Sequence, residues 1–439
     1  MRNILLFGAG RSATHLIDYL LAQAEQHSWH LTIVDSNIEQ AKSKIDGHIC
    51  GTAVDLDISN ATERQRLIKE HDMVISLLPA SLHMHVAEDC YTIGRNLCTA
   101  SYISDEMEAV AVKARKKGLI FMGELGLDPG LDHMSALAVI DDIKAQGGQL
   151  TSFKSYTGGL VAPESDTNPW HYKISWNPRN VVLAGRGMAT YLLDGRLKYI
   201  PYQQLFARAV PVDITGMGKY DMYANRDSLS YRQIYGIEDV QTIIRGTLRH
   251  TGYSAAWHAL VKLGLTDDET MIENTREMSY ADVMQAFIPK GNGELKSRTA
   301  DYLNVEESSD VMMKLNSLGL FSDENIDLKT FTPARLIEDI IKEKWKLLPD
   351  DKDMIIMQHE FEYILDNKSQ ELKSTLVMEG ENAVRTAMSK LVGLPLAIFV
   401  KQIMLKKITS VSTARPVTAD VYEPILKELE ELGVKFVHA

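Results

Sequence analysis

The sequence predicts an α/β protein, with a doubly wound parallel sheet in its first third and an α+β domain after it. Three observations support this fold class. A continuous apolar run, NILLFGAG, passes through two glycines into the helical period of RSATHLIDYLLAQ. Strand-like and helix-like segments then alternate as far as LIFMGELG. Beyond Leu150 this alternation gives way to longer strand-like stretches, which indicates a second domain.

The alternation in the first third predicts where ligands bind. LTIVDSN, HDMVISLLP, NLCTASYIS and LIFMGELG are predicted strands, and the helical segments HMHVAEDCYTIG and SDEMEAVAVKARKKG follow the second and third of them. In doubly wound sheets, ligands bind beyond the carboxyl ends of the strands. Pro79, Ser101, Tyr102 and Asp128 fall at such ends. These residues are therefore candidates for a site at the rim of a crevice.

The first strand–helix turn has the spacing of a dinucleotide-binding loop. Gly8, Gly10 and Ala13 form the G-x-G-x-x-A pattern, in which the second glycine lets backbone N–H groups reach a pyrophosphate. Asp35 ends the second strand about twenty residues later, where a carboxylate accepts hydrogen bonds from the adenosine ribose. Since a 2′-phosphate would meet this charge, and Ser36 and Asn37 supply no arginine, the sequence favours NAD over NADP.

The second domain is predicted to combine strands with a helical section. FKSYTGGL, IIMQHEFEYIL and ELKSTLVMEG have the character of antiparallel strands, and residues 238–346 are more helical. The predicted domains are 1–131 for the dinucleotide and 132–395 for the substrate. The tail 396–439 contains an amphipathic helix and a short strand and is expected to pack back on the first domain.

Composition narrows the classes of function. The formal net charge is −12, with 59 acidic residues against 47 basic ones, which argues against a nucleic-acid partner. The three cysteines, Cys50, Cys90 and Cys98, have no disulfide or zinc spacing, so a reducing, cytoplasmic location is expected. A signal peptide and a membrane-spanning segment are not expected from the apolar runs. A soluble protein that acts on a small molecule fits these features.

The stretch GELGLDPGLDHM, residues 123–134, allows three interpretations: a metal site, an acid–base site, or a connector with a helix cap. A metal is not expected, because no other segment completes a ligand set. His83 and His85 are two residues apart on a predicted helix, so they point to different sides. The segment HEFEY lacks the second histidine of a zinc-protease motif.

Two groups of arginines occur in this acidic chain. One is NRDS with Arg226, and the other is RGTLRH with Arg245, Arg249 and His250. A guanidinium binds a carboxylate through two parallel hydrogen bonds, so these groups suit an anionic substrate. Surface ion pairs with neighbouring acids are the alternative interpretation.

Motifs in a fixed order along nearly the whole chain resemble those of the L-glutamate-forming saccharopine dehydrogenases, also called saccharopine reductases. They include ISLLP, ASYIS, GLDPGLDHM, SYTGGLVAPESDTNPWHYKISWNPRNVV, NRDS, RGTLRHTGYS and VGLPLAI. The resemblance implies a Rossmann-type domain, a mixed-sheet substrate and dimerisation domain with a small helical subdomain, and a homodimer. It also implies hydride transfer from saccharopine to NAD(P)+, followed by hydrolysis of the imine to L-glutamate and L-2-aminoadipate 6-semialdehyde, a step of lysine metabolism.

The resemblance assigns candidate residues position by position. Those expected to contact saccharopine are Ser101, Tyr102, Asp128, Arg226, Thr247, Leu248 and Arg249. Those expected to line the dinucleotide are Gly8, Gly10, Arg11, Ser12, Ala13, Asp35, Leu78, Pro79 and Ala100. Asp128 and Tyr102 are the candidate catalytic pair, acting either by proton transfer or by orienting the amine electrostatically.

One position departs from the family pattern. The chain has Thr157 where related sequences carry cysteine in SYCGGL, so an obligatory acid–base role for that thiol does not apply here. Two alternative functions remain open. One is a related amine dehydrogenase acting on carboxynorspermidine or lysine, and the other is an NAD-binding protein without catalysis. The physiological direction of the reaction is also open.

Overall fold

The chain divides into two compact units. The computed structural model describes residues 2–273 and 278–439. Unit 1 comprises Met1–Gln149 and Met378–Val437, and unit 2 comprises Leu150–Val377 and His438–Ala439. Both boundaries differ from the predicted ones: unit 1 continues beyond residue 131, and the chain returns to it before residue 396. The reason is packing, because the helix Leu131–Ala145 lies against a C-terminal helix, Ala419–Glu431.

A parallel sheet forms the centre of unit 1. Between residues 2 and 122 its strands are β1 Arg2–Phe7, β2 Trp29–Asp35, β3 Gly51–Asp55, β4 Met73–Ser76, β5 Asn96–Thr99 and β6 Phe121–Met122. Their spatial order is β3-β2-β1-β4-β5-β6, and every neighbouring pair is parallel. Because the order reverses between β1 and β4, a ligand crevice opens there, at the carboxyl ends of the strands. The predicted doubly wound fold is confirmed.

Helices cover both faces of this sheet, as parallel strands require. Their bounds are α1 Thr14–His27, α2 Ile38–Ile45, α3 Ala61–Glu70, α4 His83–Ile93, α5 Asp105–Lys116 and α6 Leu131–Ala145. Several begin at a side chain that accepts a backbone N–H group of the first turn: Asn37, Asn60 and Ser104. Gly94 ends α4 in the left-handed conformation that glycine adopts most readily.

Unit 2 contains a mixed sheet. The strands beyond unit 1's first segment are β7 Gln149–Val161, β8 Met188–Leu193, β9 Arg196–Pro201, β10 Val210–Ile214, β11 Gly218–Ala224, β12 Thr242–His250, β13 Ile272–Glu273, β14 Thr330–Phe331, β15 Asp353–Leu365, β16 Lys368–Glu379 and β17 Val437–His438. The large sheet has the order β10-β11-β12-β7-β15-β16-β17, with β8 and β9 joined to β12. Strand β12 runs parallel to β7 and antiparallel to β11. The sheet is therefore mixed, as the resemblance implied, and β7, which was predicted to be an antiparallel strand, has a parallel neighbour.

Most helices of unit 2 come between β12 and β15 in the order of the sequence. Their bounds are α7 Pro178–Val182, α8 Tyr202–Leu205, α9 Ser230–Ile234, α10 Tyr253–Lys262, α11 Tyr280–Phe287, α12 Leu295–Leu303, α13 Asp310–Ser317 and α14 Pro333–Lys344. The helical section predicted at 238–346 begins only at Tyr253, because residues 242–250 pair as a central strand. Trp170, Trp257 and Trp345 are fully buried together in the core beneath these helices.

The returning segment adds α15 Ala387–Met404 and α16 Ala419–Glu431 to unit 1. By length and composition α15 could cross a membrane, which the sequence analysis did not anticipate, but 83% of it is buried inside the protein. It packs closely on α1: a Cβ atom added at Gly393 would lie 2.9 Å from the backbone nitrogen of Leu16. This burial is what a core helix requires.

Candidate active site

The glycine turn after β1 has the form needed to hold a phosphate. Gly8 adopts φ +100°, and a Cβ atom there would lie 2.8 Å from the carbonyl oxygen of Leu77, so only glycine fits. At Gly10 an added Cβ would meet nothing within 4 Å, so the backbone of the turn is open on that side. Arg11–Ala13 then form a 3-10 turn that leads into α1. An open turn at a helix N-terminus is suited to the pyrophosphate of a dinucleotide.

Asp35 lies beside this turn and fastens it to β2. Its Oδ2 accepts a hydrogen bond from the backbone N–H of Ala9 at 2.7 Å, and its Oδ1 accepts one from Asn37 at 2.8 Å. The sequence predicted a role toward the ribose only. A carboxylate oxygen can accept a second hydrogen bond, so the structure adds a turn-fixing role and leaves the ribose role possible.

The remaining candidate dinucleotide residues follow neighbouring parallel strands. Leu78 and Pro79 come after β4, and Ala100 comes after β5. Since the carboxyl ends of parallel strands share one edge of the sheet, these residues lie on the same edge as the glycine turn and Asp35. The predicted set is Gly8, Gly10, Arg11, Ser12, Ala13, Asp35, Leu78, Pro79 and Ala100. Its placement at one edge agrees with a dinucleotide site.

A buried histidine links two serines at this edge. Nδ1 of His83 lies 2.8 Å from the hydroxyl of Ser76, and Nε2 lies 2.8 Å from the hydroxyl of Ser101. Burial lowers the pKa of His83 to about 4, so the ring is neutral at physiological pH. A neutral ring donates at one nitrogen and accepts at the other, and His83 therefore sets the direction in which the Ser101 hydroxyl points. Sequence reasoning considered His83 only as a metal ligand and missed this role.

The candidate catalytic pair is brought together in unit 1. The hydroxyl of Tyr102 donates a hydrogen bond to Oδ1 of Asp128 at 2.9 Å, and both residues are half-buried. Tyr102 follows β5, and Asp128 lies in the connection between β6 and α6. The two residues are separated by 26 positions in the sequence, and their contact depends on the pairing of β5 with β6.

The stretch 123–134 is anchored by buried charges around Glu124, which is 1% exposed. Oε2 of Glu124 lies 2.9 Å from Nε2 of His133, and Oε1 lies 3.0 Å from Nε of Arg415. Backbone N–H groups also contribute: Ile103 donates to Glu124, and Gly130 donates to Asp132 at 2.6 Å. Among the described residues, no group of three or more His, Cys, Asp or Glu could hold a metal ion. The stretch is a structured connector that holds Asp128 in place.

Replacing Glu124 by glutamine is expected to lower the free energy of unfolding by about 3 kcal/mol near neutral pH, the range for a broken buried ion pair. Burial raises the pKa of Glu124, but the hydrogen bond and charge of His133 and the charge of Arg415 outweigh it, so the pKa is lowered. The carboxylate therefore stabilises the fold above pH 4.5, its ordinary pKa, and this contribution is lost as the pH falls through the lowered value.

Urea unfolding of both proteins at a series of pH values tests this expectation. The difference between wild type and Glu124→Gln should shrink in acid. An exposed control, Glu63→Gln, removes a surface ion pair with Arg66 and should change stability by less than about 1 kcal/mol. A pH-independent difference would contradict the role of the carboxylate charge.

In unit 2, β12 presents a buried arginine to an aromatic cage. Arg249 is 3% exposed, and its Cζ lies 5.1, 5.8 and 5.4 Å from the ring centres of Tyr172, Tyr223 and Tyr253. It donates to the carbonyl of Leu248 at 2.8 Å, while its Nε has no hydrogen-bond partner among the described residues. A buried guanidinium with an unused donor suits an anionic ligand, since burying an uncompensated charge is costly.

Strand alternation separates the candidates on β12. Thr247 and Arg249 lie on one face, and Leu248 lies on the other, fully buried in an apolar cluster. The Leu248 side chain therefore faces away from Arg249, and the predicted contact of Leu248 with the substrate stays a prediction. Thr157 pairs with Thr247 across β7 and β12, so it shares the face of Arg249. Its hydroxyl is buried without a hydrogen-bond partner among the described residues.

Arg226 is placed apart from Arg249. It is exposed and follows β11, and its neighbour Asn225 donates to the carbonyl of Arg245. Arg226 thus lies near the Arg245 end of β12, roughly 15 Å along the strands from Arg249 at about 3.3 Å per residue. Arg245 is buried and stacks on the ring of Tyr231 at 4.3 Å. Arg226 and Arg249 are therefore far enough apart to contact different parts of an extended ligand, whereas Arg226 and Arg245 lie close together.

Two family models cover almost the whole chain. Residues 4–122 match the model described as Saccharopine dehydrogenase NADP binding domain, and residues 126–434 match Saccharopine dehydrogenase C-terminal domain. The chain belongs to the saccharopine dehydrogenase family. The recognition made from the sequence is confirmed, and with it the class of the protein as an oxidoreductase with an NAD(P)-binding Rossmann-type domain.

Relatives of known name agree across the full length. The saccharopine dehydrogenase (NADP(+), L-glutamate-forming) of Schizosaccharomyces pombe is 31% identical over 445 residues, which cover 99% of this chain and 98% of that protein. The solved structure of apo saccharopine dehydrogenase (L-Glu forming) from Saccharomyces cerevisiae superposes with a TM-score of 0.88 at 29% identity, covering 100% of this chain and 99% of that one. The Arabidopsis thaliana alpha-aminoadipic semialdehyde synthase is 30% identical, but the chain spans only 44% of its length.

These names bear on the cofactor. The family model and the fungal saccharopine dehydrogenases are named for NADP(+), so the comparisons favour NADP over the NAD expected from Asp35. The names and the sequence prediction agree on an NAD(P)-binding domain. The glycine turn, with its open side at Gly10, fits the pyrophosphate of either dinucleotide.

Proposed function

We propose that this protein catalyses the oxidative cleavage of saccharopine, with NAD(P)+ and water, to L-glutamate and L-2-aminoadipate 6-semialdehyde. The observation that carries the proposal is the buried Arg249 guanidinium, held in a tyrosine cage with a donor left unused. Saccharopine has three carboxylates, and a buried pocket for them needs fixed cations. The wide spacing of Arg226 and Arg249 suits an extended molecule with carboxylates at both ends.

The chemistry assigns separate tasks to the residues. The glycine turn and Asp35 would hold the dinucleotide, which when bound would supply the hydride acceptor for the lysine-side carbon next to the secondary amine. The substrate would then be an imine, water would add to its carbon, and the C–N bond would break with the amine leaving as glutamate. Tyr102 and Asp128 are suited to move protons at the nitrogen and the water, or to orient the amine by charge. Ser101, Thr247 and Arg249 would bind substrate.

Steady-state formation of NAD(P)H with saccharopine, together with detection of glutamate, tests the proposal. The same assay with lysine and with carboxynorspermidine tests the alternative amine substrates. Absence of turnover with both dinucleotides would refute the proposed reaction, and dinucleotide binding without oxidation of any amine would indicate a non-catalytic protein. A homodimer and a cytoplasmic location remain predictions, the first of which analytical ultracentrifugation can check.

Replacing His83 by alanine is expected to lower kcat about fivefold, because the Ser101 hydroxyl loses the partner that orients it, and one hydrogen bond contributes about 1 kcal/mol. His83→Gln, which can still donate and accept, should recover part of the rate. Since His83 is neutral above its pKa of about 4, the pH profile of kcat should keep its shape in both variants.

Kinetics of both variants across a range of pH check this expectation. His85→Ala is the matched control, because His85 lies on the same helix but is exposed, and it should leave kcat unchanged. A loss that appears only as lower thermal stability, with kcat and KM unchanged, would show that His83 has a structural role alone.

A further inference from the structure

A lysine on α2 lies directly at the glycine turn. Lys44 is in the last turn of α2, and its Nζ donates hydrogen bonds to the carbonyl of Gly10 and, at 3.0 Å, to the hydroxyl of Thr14. Gly10 is the second glycine of the dinucleotide pattern, and Thr14 begins α1. The ammonium group is therefore held at the turn by tertiary contacts and is separated from it by more than thirty residues of sequence.

The charges around Lys44 include the carboxylate expected to select NAD. Burial lowers the pKa of Lys44 to about 8, while the charges of Asp18 on α1 and Asp35 on β2 raise it. Lys44 is thus mostly a cation at neutral pH. Asp35 itself accepts two backbone hydrogen bonds, which spread part of its negative charge. The electrostatic potential at the end of β2 is consequently less unfavourable for an anion than the charge of Asp35 alone suggests.

The position of the ribose connects these observations. In a doubly wound fold the adenosine ribose lies between the glycine turn and the acid that ends β2, and the phosphate that distinguishes NADP from NAD is on its 2′-oxygen. Lys44 contacts the carbonyl of Gly10, and Asp35 contacts the N–H group of Ala9, the preceding residue of the same turn, so Lys44 flanks that position. An ammonium group there binds a phosphate as a point charge. Ser36 and Asn37, the sequence neighbours of Asp35, provide no such cation.

We propose that Lys44 is the cation that lets this site bind a dinucleotide with a 2′-phosphate in spite of Asp35. The proposal rests on the proposed function only for the class of cofactor. It reconciles the acid at the end of β2 with relatives named for NADP(+), and it makes Lys44 a specificity residue for NADPH. Contact with the pyrophosphate, which both dinucleotides share, would make Lys44 an affinity residue without specificity.

Dissociation constants for NADPH and NADH, measured by nicotinamide fluorescence without any amine substrate, test the proposal. Lys44→Met should raise the dissociation constant for NADPH by at least about tenfold, which corresponds to the loss of one charge-assisted hydrogen bond. The dissociation constant for NADH should change by less than about twofold. Lys44→Arg should keep the NADPH affinity. The matched control is Lys42→Met on the same helix, where Lys42 is exposed and pairs with Glu39 at 2.8 Å, and it should change neither constant.

The outcomes separate this proposal from the proposed reaction. The proposed role of Lys44 would be overturned if Lys44→Met weakened the binding of both dinucleotides equally, or weakened the binding of neither. It would also be overturned if the wild type failed to bind NADPH. Retained thermal stability of Lys44→Met shows that the variant is folded. NADPH binding that depends on Lys44, in a protein that does not turn over saccharopine, would leave the Lys44 proposal standing and refute only the proposed reaction.

Discussion

Replacing Asp128 by asparagine is expected to lower kcat for saccharopine cleavage by about 100-fold or more, the range for loss of a general acid–base group. Asparagine keeps the shape and can still accept a hydrogen bond from Tyr102, but it can neither take up a proton nor attract a cationic amine. Tyr102→Phe removes the 2.9 Å hydrogen bond to Asp128 and should cost less, about tenfold.

The pH dependence of kcat decides between the two roles of Asp128. Loss of one limb of the profile in Asp128→Asn would indicate proton transfer. A uniformly lower profile of unchanged shape would indicate that the carboxylate only orients the substrate. The dinucleotide dissociation constants should be unchanged in both variants and serve as the control for folding. Activities within about twofold of wild type in both variants would exclude either role.

Replacing Arg249 by methionine is expected to raise KM for saccharopine by about 100-fold, since charge-assisted hydrogen bonds from a guanidinium to a carboxylate contribute about 1.5–3 kcal/mol each. Methionine fills similar volume in the cage of Tyr172, Tyr223 and Tyr253 but carries no charge. Arg249→Lys should give an intermediate KM, because an ammonium group retains the charge without the paired geometry.

A second buried arginine provides the matched control. Arg245 lies on the same strand and also stacks on a tyrosine, Tyr231. Arg245→Met should therefore cost comparable stability while leaving KM close to that of wild type. If both variants raise KM to the same extent, the effect of Arg249→Met reflects general damage to unit 2 and the carboxylate role is excluded. Thermal unfolding of both variants measures the stability part.

Local sequence patterns were enough to predict the parallel sheet and the glycine turn of the first unit, though not the bounds of that unit. The change of period after NILLFGAG, the glycine spacing and the acid that ends LTIVD depend on residues close together in the chain, and the strands and turn they predict are present. The pattern was less informative in unit 2, where RGTLR was assigned to a helical section. It forms β12, because neighbouring strands β11 and β7 pair with it on both sides, and such pairing overrides local preference.

The site residues divide in the same way. Tyr102 was correctly expected just after a strand, since the direction of parallel strands follows from their alternation with helices. Asp128 lies further from its strand than expected, because β6 ends at Met122 and a longer connection leads to α6. The chain pattern did not reveal that Leu248 points away from Arg249, because the strand itself was not recognised and the alternation of its faces could not be applied. Nor did it show that His83 joins Ser76 to Ser101.

The sequence alone determined the family, the doubly wound fold and the glycine turn, because each is encoded in short-range spacing and in the order of motifs. Tertiary structure decided what surrounds each charge. Arg415 reaches Glu124 across 291 residues, and Lys44 reaches the glycine turn across 34. Such contacts depend on how α2 and the returning segment pack in unit 1, and the electrostatics of a site depend on every charge that packing brings near.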